Sequence, residues 1–362
     1  MNELRLIIIT DMAPETGIGT FAYSLFKSLT KISDGIAFLY TGYQRLNYEK
    51  GFINYKRVES NGGYISKGMA KFLNQNRCKS LMVLRESNIH LCGSSYSMSQ
   101  VNENTVATVH DIYFTKPTRS DFTNKDRMSS YLAYNFNVVK AMSDLKRIQN
   151  LTSISEVSRK QLLSKINRDS QVIHHWVDKE RFHPRDKVSS RKMLNLPLDR
   201  RLLLNVSGGG TNKNLEFLTS FANQLSENWA LIKVGYPINS HKVININKLD
   251  KDIYPILFNA ADAYIHTSTF EGFGIPLIES LGSGLPVIAL NTPSSQEILE
   301  KSCTYFTPSD SPKDILEKID NVFFKENYNE LVMSSLERSK FYSEEKIISK
   351  YFDFYRKSFK IF

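Results

Sequence analysis

The stretch Glu271 to Ala289, EGFGIPLIESLGSGLPVIA, reads as a loop, a helix and the start of a strand. Glu271 and two glycines lie in the loop, Pro276 falls in the first helical turn, where a missing N–H costs little, and Glu279 follows Glu271 with seven residues between. With DAYIHTS (262–268) before it, the whole run is strand, loop, helix, strand. The helix then aims free N–H groups past the carboxyl end of a strand. An anion there gains about 0.3–1 kcal/mol at a surface and up to about 2 kcal/mol when partly buried, so a phosphate fits. Glu279, flanked by Leu277, Ile278 and Leu281, is expected to be partly buried and to need hydrogen-bond donors, which a ribose diol supplies. Glu271 reaches toward a sugar on the other side of the phosphates. The alternative, a capping glutamate plus a chance acid, leaves a carboxylate in an apolar helix unexplained.

The same alternation runs along the chain. Strands are expected at LRLIIIT, IAFLYTG, NIHLCG, TVATVHD, LTSIS and QVIHHWV in the first half, and at RLLLNVS, WALIKVG, VININ, DAYIHTS, LPVIAL and CTYFT in the second. Apolar runs of strand length separated by helical patterns mean α/β architecture with doubly wound parallel sheets. A chain of 362 residues exceeds one ordinary core. Two Rossmann-like domains facing a central cleft are expected, the first over 1–184 and the second over 185–342. The charged, proline-marked segment DKERFHPRDKVSSRKMLNLPLD marks the boundary, and a closing helix at about 343–362 joins the first domain.

Ligands of open parallel sheets lie beyond the carboxyl ends of the strands, and several motifs fall there. Gly17 and Gly19 in GIGTFA match a dinucleotide fingerprint formally, but they do not follow the strand directly and IAFLYTGYQ ends without an acid for an adenosine ribose, which weakens a dehydrogenase reading. What remains is a glycine loop that lets backbone N–H groups approach a phosphate or sugar, or a plain turn. His110 and Asp111 follow a strand, where the histidine either touches substrate or is structural. Gly208 to Gly210, leading to Lys213, have the logic of a phosphate cradle, with a flexible loop and an exposed lysine as the alternative. His174 and His175 alternate across an expected strand. No His and carboxylate cluster has metal-ligand spacing.

Composition bounds the rest. The three cysteines, Cys78, Cys92 and Cys303, form no CxxC pair, so buried free thiols are expected. The apolar run near the N-terminus is too short for a signal-peptide core, and no later run approaches a spanning helix, which leads to a cytoplasmic expectation. A formal net charge of +10 favours an anionic partner. Basic and aromatic residues mix between Arg119 and Arg147, suited either to an anionic membrane surface at its inner face or to an ordinary solvated helix. No motif has groove-reading geometry, so nucleic acid is not expected as a partner.

With these residues in view, the chain resembles a family 4 glycosyltransferase of the GT-B fold, retaining and dependent on a nucleotide sugar. The most specific part is the E-x7-E run Glu271 to Glu279 with GFGIPLIE inside it. The Gly17 and Gly19 loop, TVHD ending at Asp111, SISEVSRKQL, VIHHWVDKERFHP and NKN (212–214) occur in the family's order. The resemblance implies that Glu279 binds the nucleotide ribose and that Glu271 contacts the transferred sugar. It further implies that backbone groups of Gly272, Phe273, Gly274 and Ile275 hold sugar and phosphates, and that Lys213 holds the diphosphate. His110 would lie against the donor sugar and the Gly17 to Gly19 loop against the phosphate side nearest the acceptor. No cofactor or metal is implied, since lysine and helix termini stabilise the leaving group. Two departures stand out: Gly208 and Asn212 occupy the places where the family carries an arginine, leaving Lys213 as the only expected cation, and His175-Trp176 replaces an Asn-Gly turn. The implied activity is hexosyl transfer to a hydroxyl of a glycan or lipid-linked acceptor. A nucleotide-sugar epimerase and a non-catalytic subunit supporting a partner transferase are the rivals, the missing arginine motivating the second.

Overall fold

Β-strand pairing in the computed structural model, which describes residues 5–12, 16–41, 87–92, 104–110, 142–247, 249–324 and 328–360, yields two six-stranded sheets in two separate units. The first unit comprises 1–173 and 348–362, the second 174–347. The expected α/β class is therefore met, and every pair within both sheets is parallel. Asp111, Arg127, Lys140, Cys78 and most of the basic aromatic segment lie outside the described residues.

In the first unit the order is β2-β1-β3-β4-β5-β6, built from β1 (Leu6–Thr10), β2 (Ile36–Tyr40), β3 (Asn88–Leu91), β4 (Thr105–Val109), β5 (Asn150–Ser153) and β6 (Gln171–Val172). Its helices include α1 (Gly17–Thr30) and α2 (Glu156–Ile166). Ile7, Ile9, Leu39, Ile89, Val109 and Leu162 form one buried cluster on this sheet. The strands are short continuous apolar runs because both faces of a parallel sheet are covered.

The second unit orders its strands β12-β11-β10-β7-β8-β9. They are β7 (Arg201–Ser207), β8 (Trp229–Gly235), β9 (Val243–Ile246), β10 (Ala263–His266), β11 (Val287–Leu290) and β12 (Cys303–Phe306). In chain order the helices of this unit are α3 (Lys187–Met193), α4 (Leu215–Asn223), α5 (Tyr254–Ala260), α6 (Ile275–Gly282), α7 (Pro293–Leu299), α8 (Pro312–Phe324) and α9 (Tyr328–Ser339). The chain winds from β7 outward to β9, then returns to β10 beside β7 and winds the other way. The switch point between β7 and β10 is where such sheets bind ligands.

The final helix, α10 (Glu344–Phe359), returns to the first unit from Ile348 onward. The Tyr355 hydroxyl lies 2.6 Å from His90 Nδ1, and His90 Nε2 lies 2.7 Å from the Thr108 hydroxyl, which in turn lies 2.8 Å from that of Thr152. This buried polar chain ties the helix to β3, β4 and β5.

Two expectations need correcting. QVIHHWV is not one strand: pairing ends at Val172, Ile173 makes a last bond to the Ser153 carbonyl, and His174 turns instead to Glu297, 2.9 Å away. His174 and His175 therefore do not alternate across a sheet. The units also part between Ile173 and His174 rather than at 184–185, because Val177 bridges to Ser343 and Phe182 packs edge-on against Phe258 within the second unit. Of the cysteines, Cys92 is buried and free and Cys303 is half-buried and free, its thiol pushed up to about 12 by desolvation.

Candidate active site

Beyond β7 the chain passes Gly208 to Gly210 and enters a 3-10 turn, Thr211–Lys213, before Asn214 takes a left-handed conformation and α4 begins. Lys213 is thus held in a turn, one residue short of the helix cap. Beyond β10 lies the loop to Glu271. The two loops are strapped together: Thr269 N–H donates to the Asn212 carbonyl at 2.8 Å, Asn212 Nδ2 donates to the Phe270 carbonyl at 2.8 Å, and the Thr267 hydroxyl donates to the Lys213 carbonyl at 2.9 Å. That strapping brings Lys213 Nζ to 2.5 Å from Glu271 Oε1, both half-buried, so residues 58 apart in sequence form one ion pair.

Helix α6 starts beside this pair. Its cap, Gly274, has φ +114°, a conformation that a side chain resists, and a Cβ there would stand 3.0 Å from Leu277 Cδ1. No side chain caps the helix; Pro276 carries no N–H, and the Leu277 N–H donates to the Gly274 carbonyl at 3.0 Å. Phe273 is buried against the rings of His174, His175 and Tyr342. This segment consequently offers a ligand its backbone and not its aromatic ring.

One turn into α6, the Tyr254 hydroxyl donates to Glu279 Oε2 at 2.8 Å. The other oxygen of Glu279 accepts no hydrogen bond among the described residues. Desolvation pushes the carboxyl up to about 7, with the Tyr254 bond and Arg181 pulling the other way. Tyr254 is itself driven well above its usual value by burial and then by the Glu279 charge.

Two residues of this region were not singled out from the sequence. His266 ends β10, is buried, and its Nε2 has no hydrogen-bond partner among the described residues. Desolvation lowers it to about 4, while Glu271 and Lys213 pull on it in opposite directions. Lys233 lies in β8 and donates to the carbonyls of Ser207 at 2.7 Å and Val234 at 2.9 Å. Desolvation and then the neighbouring Lys213 lower it to about 8. Lys213 is therefore not the only cation here, which corrects the expectation. The available signal was a charged residue inside the apolar run WALIKVG.

The remaining candidates lie in the first unit. Gly17 opens α1 and Gly19 N–H donates to the capping Thr16 hydroxyl at 3.0 Å. His110 follows β4, buried, with its ring edge-on to Phe21 at 4.7 Å and its carbonyl accepting from the Ser158 hydroxyl at 2.8 Å. Desolvation and then His90 lower it to about 3. These residues belong to the first unit, and Lys213 and Glu271 to the second. Among the described residues, no group of three or more His, Cys, Asp or Glu is placed to hold a metal ion.

Residues 186–332 match the family model of glycosyl transferases group 1. The matched segment, under half of the chain, contains Lys213, Glu271 and Glu279. Among curated proteins, the chain is 25% identical over 146 residues to the O-antigen biosynthesis glycosyltransferase WclY of Escherichia coli, covering 37% of this chain and 41% of that one. It is 24% identical over 237 residues to the O-antigen chain mannosyltransferase RfbU of Salmonella typhimurium, covering 61% of each. The chain thus spans less than two thirds of these relatives' length. Among solved structures, sucrose-phosphate synthase from Thermosynechococcus elongatus superposes with a TM-score of 0.76 at 16% identity over 98% of this chain and 99% of that one. The fold is GT-B, as the sequence motifs led us to expect.

Proposed function

We propose that the chain is a retaining glycosyltransferase that moves a hexose from a nucleotide diphosphate sugar to a hydroxyl of a glycan or lipid-linked acceptor in O-antigen-type glycan synthesis. One observation carries the reading. At the β7–β10 switch point a lysine-glutamate pair, an uncapped helix start and a desolvated carboxylate with an open oxygen are gathered within one unit. A diphosphate suits the cation and the N–H groups, a ribose diol suits Glu279, and the sugar then falls toward Glu271. The O-antigen relatives named above support the acceptor class.

In this reading Lys213 exchanges Glu271 for the diphosphate, and the freed Glu271 carboxylate turns to the transferred sugar. Backbone groups of Gly272 to Ile275 hold sugar and phosphates. The leaving charge is stabilised by Lys213 and the α6 N-terminus without a metal, departure and attack share one face of the sugar, and the diphosphate takes the acceptor proton. His110 and the Gly17 to Gly19 loop are assigned by resemblance to the donor sugar and to the acceptor-side phosphate. A cytoplasmic location with peripheral contact through residues 119–147 belongs to the same proposal. Among the described residues no helix is long and apolar enough to cross a membrane.

A panel of nucleotide sugars, with thermal stabilisation as the first readout and sugar transfer or donor hydrolysis as the second, tests the reading. One donor class is expected to raise the melting temperature, because it binds only the folded state. Its turnover should be lost in Lys213→Ala and Glu271→Ala and should persist in excess EDTA. Stabilisation without turnover under any acceptor condition would instead favour a non-catalytic subunit, and sugar inversion without an acceptor an epimerase.

A further inference from the structure

Lys233 is buried, and its ammonium bonds two main-chain carbonyls with no carboxylate at ion-pair distance among the described residues. Those carbonyls belong to Ser207 and Val234, at the carboxyl ends of paired strands in which Ser207 lies opposite Gly235. A buried charge without a counter-ion is costly, and the charge that acts on it is another cation, Lys213, whose own partner is Glu271. The glycine loop follows, with Gly209 close to the Tyr236 ring and Gly208 in open space. A Cβ on Gly208 would meet nothing within 4 Å, and Gly208 to Gly210 are all exposed.

We infer that Lys233 is a second cationic element of the diphosphate seat, a positioning residue that acts through the glycine loop above it. This rests on the donor reading given under the proposed function. Its hydrogen bond to the Ser207 carbonyl holds the end of β7 from which the loop departs, and its charge adds to that of Lys213. An arriving diphosphate supplies the missing counter-charge to both lysines. Its lowered pKa, about 8, leaves it mostly charged at neutral pH and mostly neutral at pH 9. The charge acting on it is that of Lys213, itself paired with Glu271.

The test is calorimetric titration of inorganic pyrophosphate into the full chain and into Lys233→Met, at pH 7 and at pH 9. The wild type is expected to bind about tenfold more tightly at pH 7, and the ratio between the two proteins should approach one at pH 9, a comparison in which titration of the probe itself cancels. Lys233→Gln, which keeps an N–H donor for the strand carbonyls without the charge, should show the same loss. A role confined to holding the strands would lower the melting temperature of Lys233→Met and leave Lys233→Gln binding as the wild type does, which would overturn the inference. Equal affinity of wild type and Lys233→Met at pH 7, or a ratio unchanged with pH, would also overturn it. Nucleotide-sugar titrations separate the two claims: sugars that bind wild type and both variants alike leave the donor reading standing without Lys233. Pyrophosphate effects with no nucleotide sugar bound would leave the anion seat standing without the donor reading.

Discussion

Glu279 carries a carboxyl that titrates near neutrality, and this has a direct consequence for ligand binding. Its ionised form is the better acceptor for ribose hydroxyls, and with the pKa pushed up to about 7 that form gains population as pH rises through neutrality. Donor affinity should therefore increase between pH 6 and pH 8, by up to roughly tenfold per pH unit below the midpoint. Tyr254→Phe removes the hydrogen bond that favours the ionised carboxylate, so the midpoint should move upward. Calorimetric affinities for a nucleotide sugar across that range check both statements, and a flat profile would refute the assignment of Glu279 to the ribose. Much at this scale was legible. An acid inside an apolar helix, Glu279 between Ile278 and Ser280, announces a buried carboxylate that needs donors. His266 and Lys233 were not singled out because both sit inside apolar strands, where a polar residue declares its partners only once the neighbouring strand ends are known.

Helices and strands of the second unit are anchored by polar groups as well as by apolar burial. Asp262, just before β10, accepts from Lys187 at 2.7 Å, from Arg191 at 2.5 Å and from the Leu202 N–H at 2.7 Å, so it ties α3 to β7. Asp262→Ala leaves Arg191 buried without its carboxylate and should cost about 3–5 kcal/mol, measured by urea denaturation. Gly282→Ala at the end of α6 would place a Cβ 2.7 Å from Val177 Cγ2 and 3.1 Å from the Phe182 carbonyl, and should destabilise by about 1–3 kcal/mol through overpacking. If either variant unfolds at the wild-type urea midpoint, the packing account is wrong there. Most strands could be read from the sequence because parallel strands covered on both faces are continuous apolar runs. QVIHHWV looks the same, yet its pairing ends at Val172. What ends it is tertiary: Glu297 on α7 draws His174 away, and nothing local encodes that. The place of Lys213 is likewise not local, since it belongs to a turn whose position depends on bonds to the loop after β10.

For the whole molecule, buried titratable groups set the response to acid, and they divide unequally between the units. The first unit buries His90 and His110, each lowered from 6.5 to about 3. Unfolded, both take a proton below pH 6.5; folded, they do not, so their stabilising contribution is complete above pH 6.5 and lost as pH falls toward 3. In the second unit His266 behaves likewise, lowered to about 4, but Glu279, raised from 4.5 to about 7, contributes in the opposite sense between those values. These two largely offset each other, while the histidines of the first unit add at about 1.4 kcal/mol per pH unit each. Hydrogen exchange at pH 7 and pH 5 should show protection falling more in residues 150–153 and 105–109 than in 201–207 and 229–235. Two domains were foreseeable from chain length and the repeated strand-helix pattern. The unit boundary was less so, because the charged segment after His174 looks like a linker while Val177 and Phe182 make it part of the second unit.

The central claim is that the carboxyl end of the second sheet, at the β7–β10 switch point, seats a nucleotide diphosphate sugar. A crystal structure of the full chain with the nucleotide sugar that stabilises it most tests this directly. The account predicts the diphosphate against Lys213 and the first N–H groups of α6, with the ribose hydroxyls on Glu279. A nucleotide bound elsewhere, with the Lys213–Glu271 pair intact and Glu279 untouched, would contradict it.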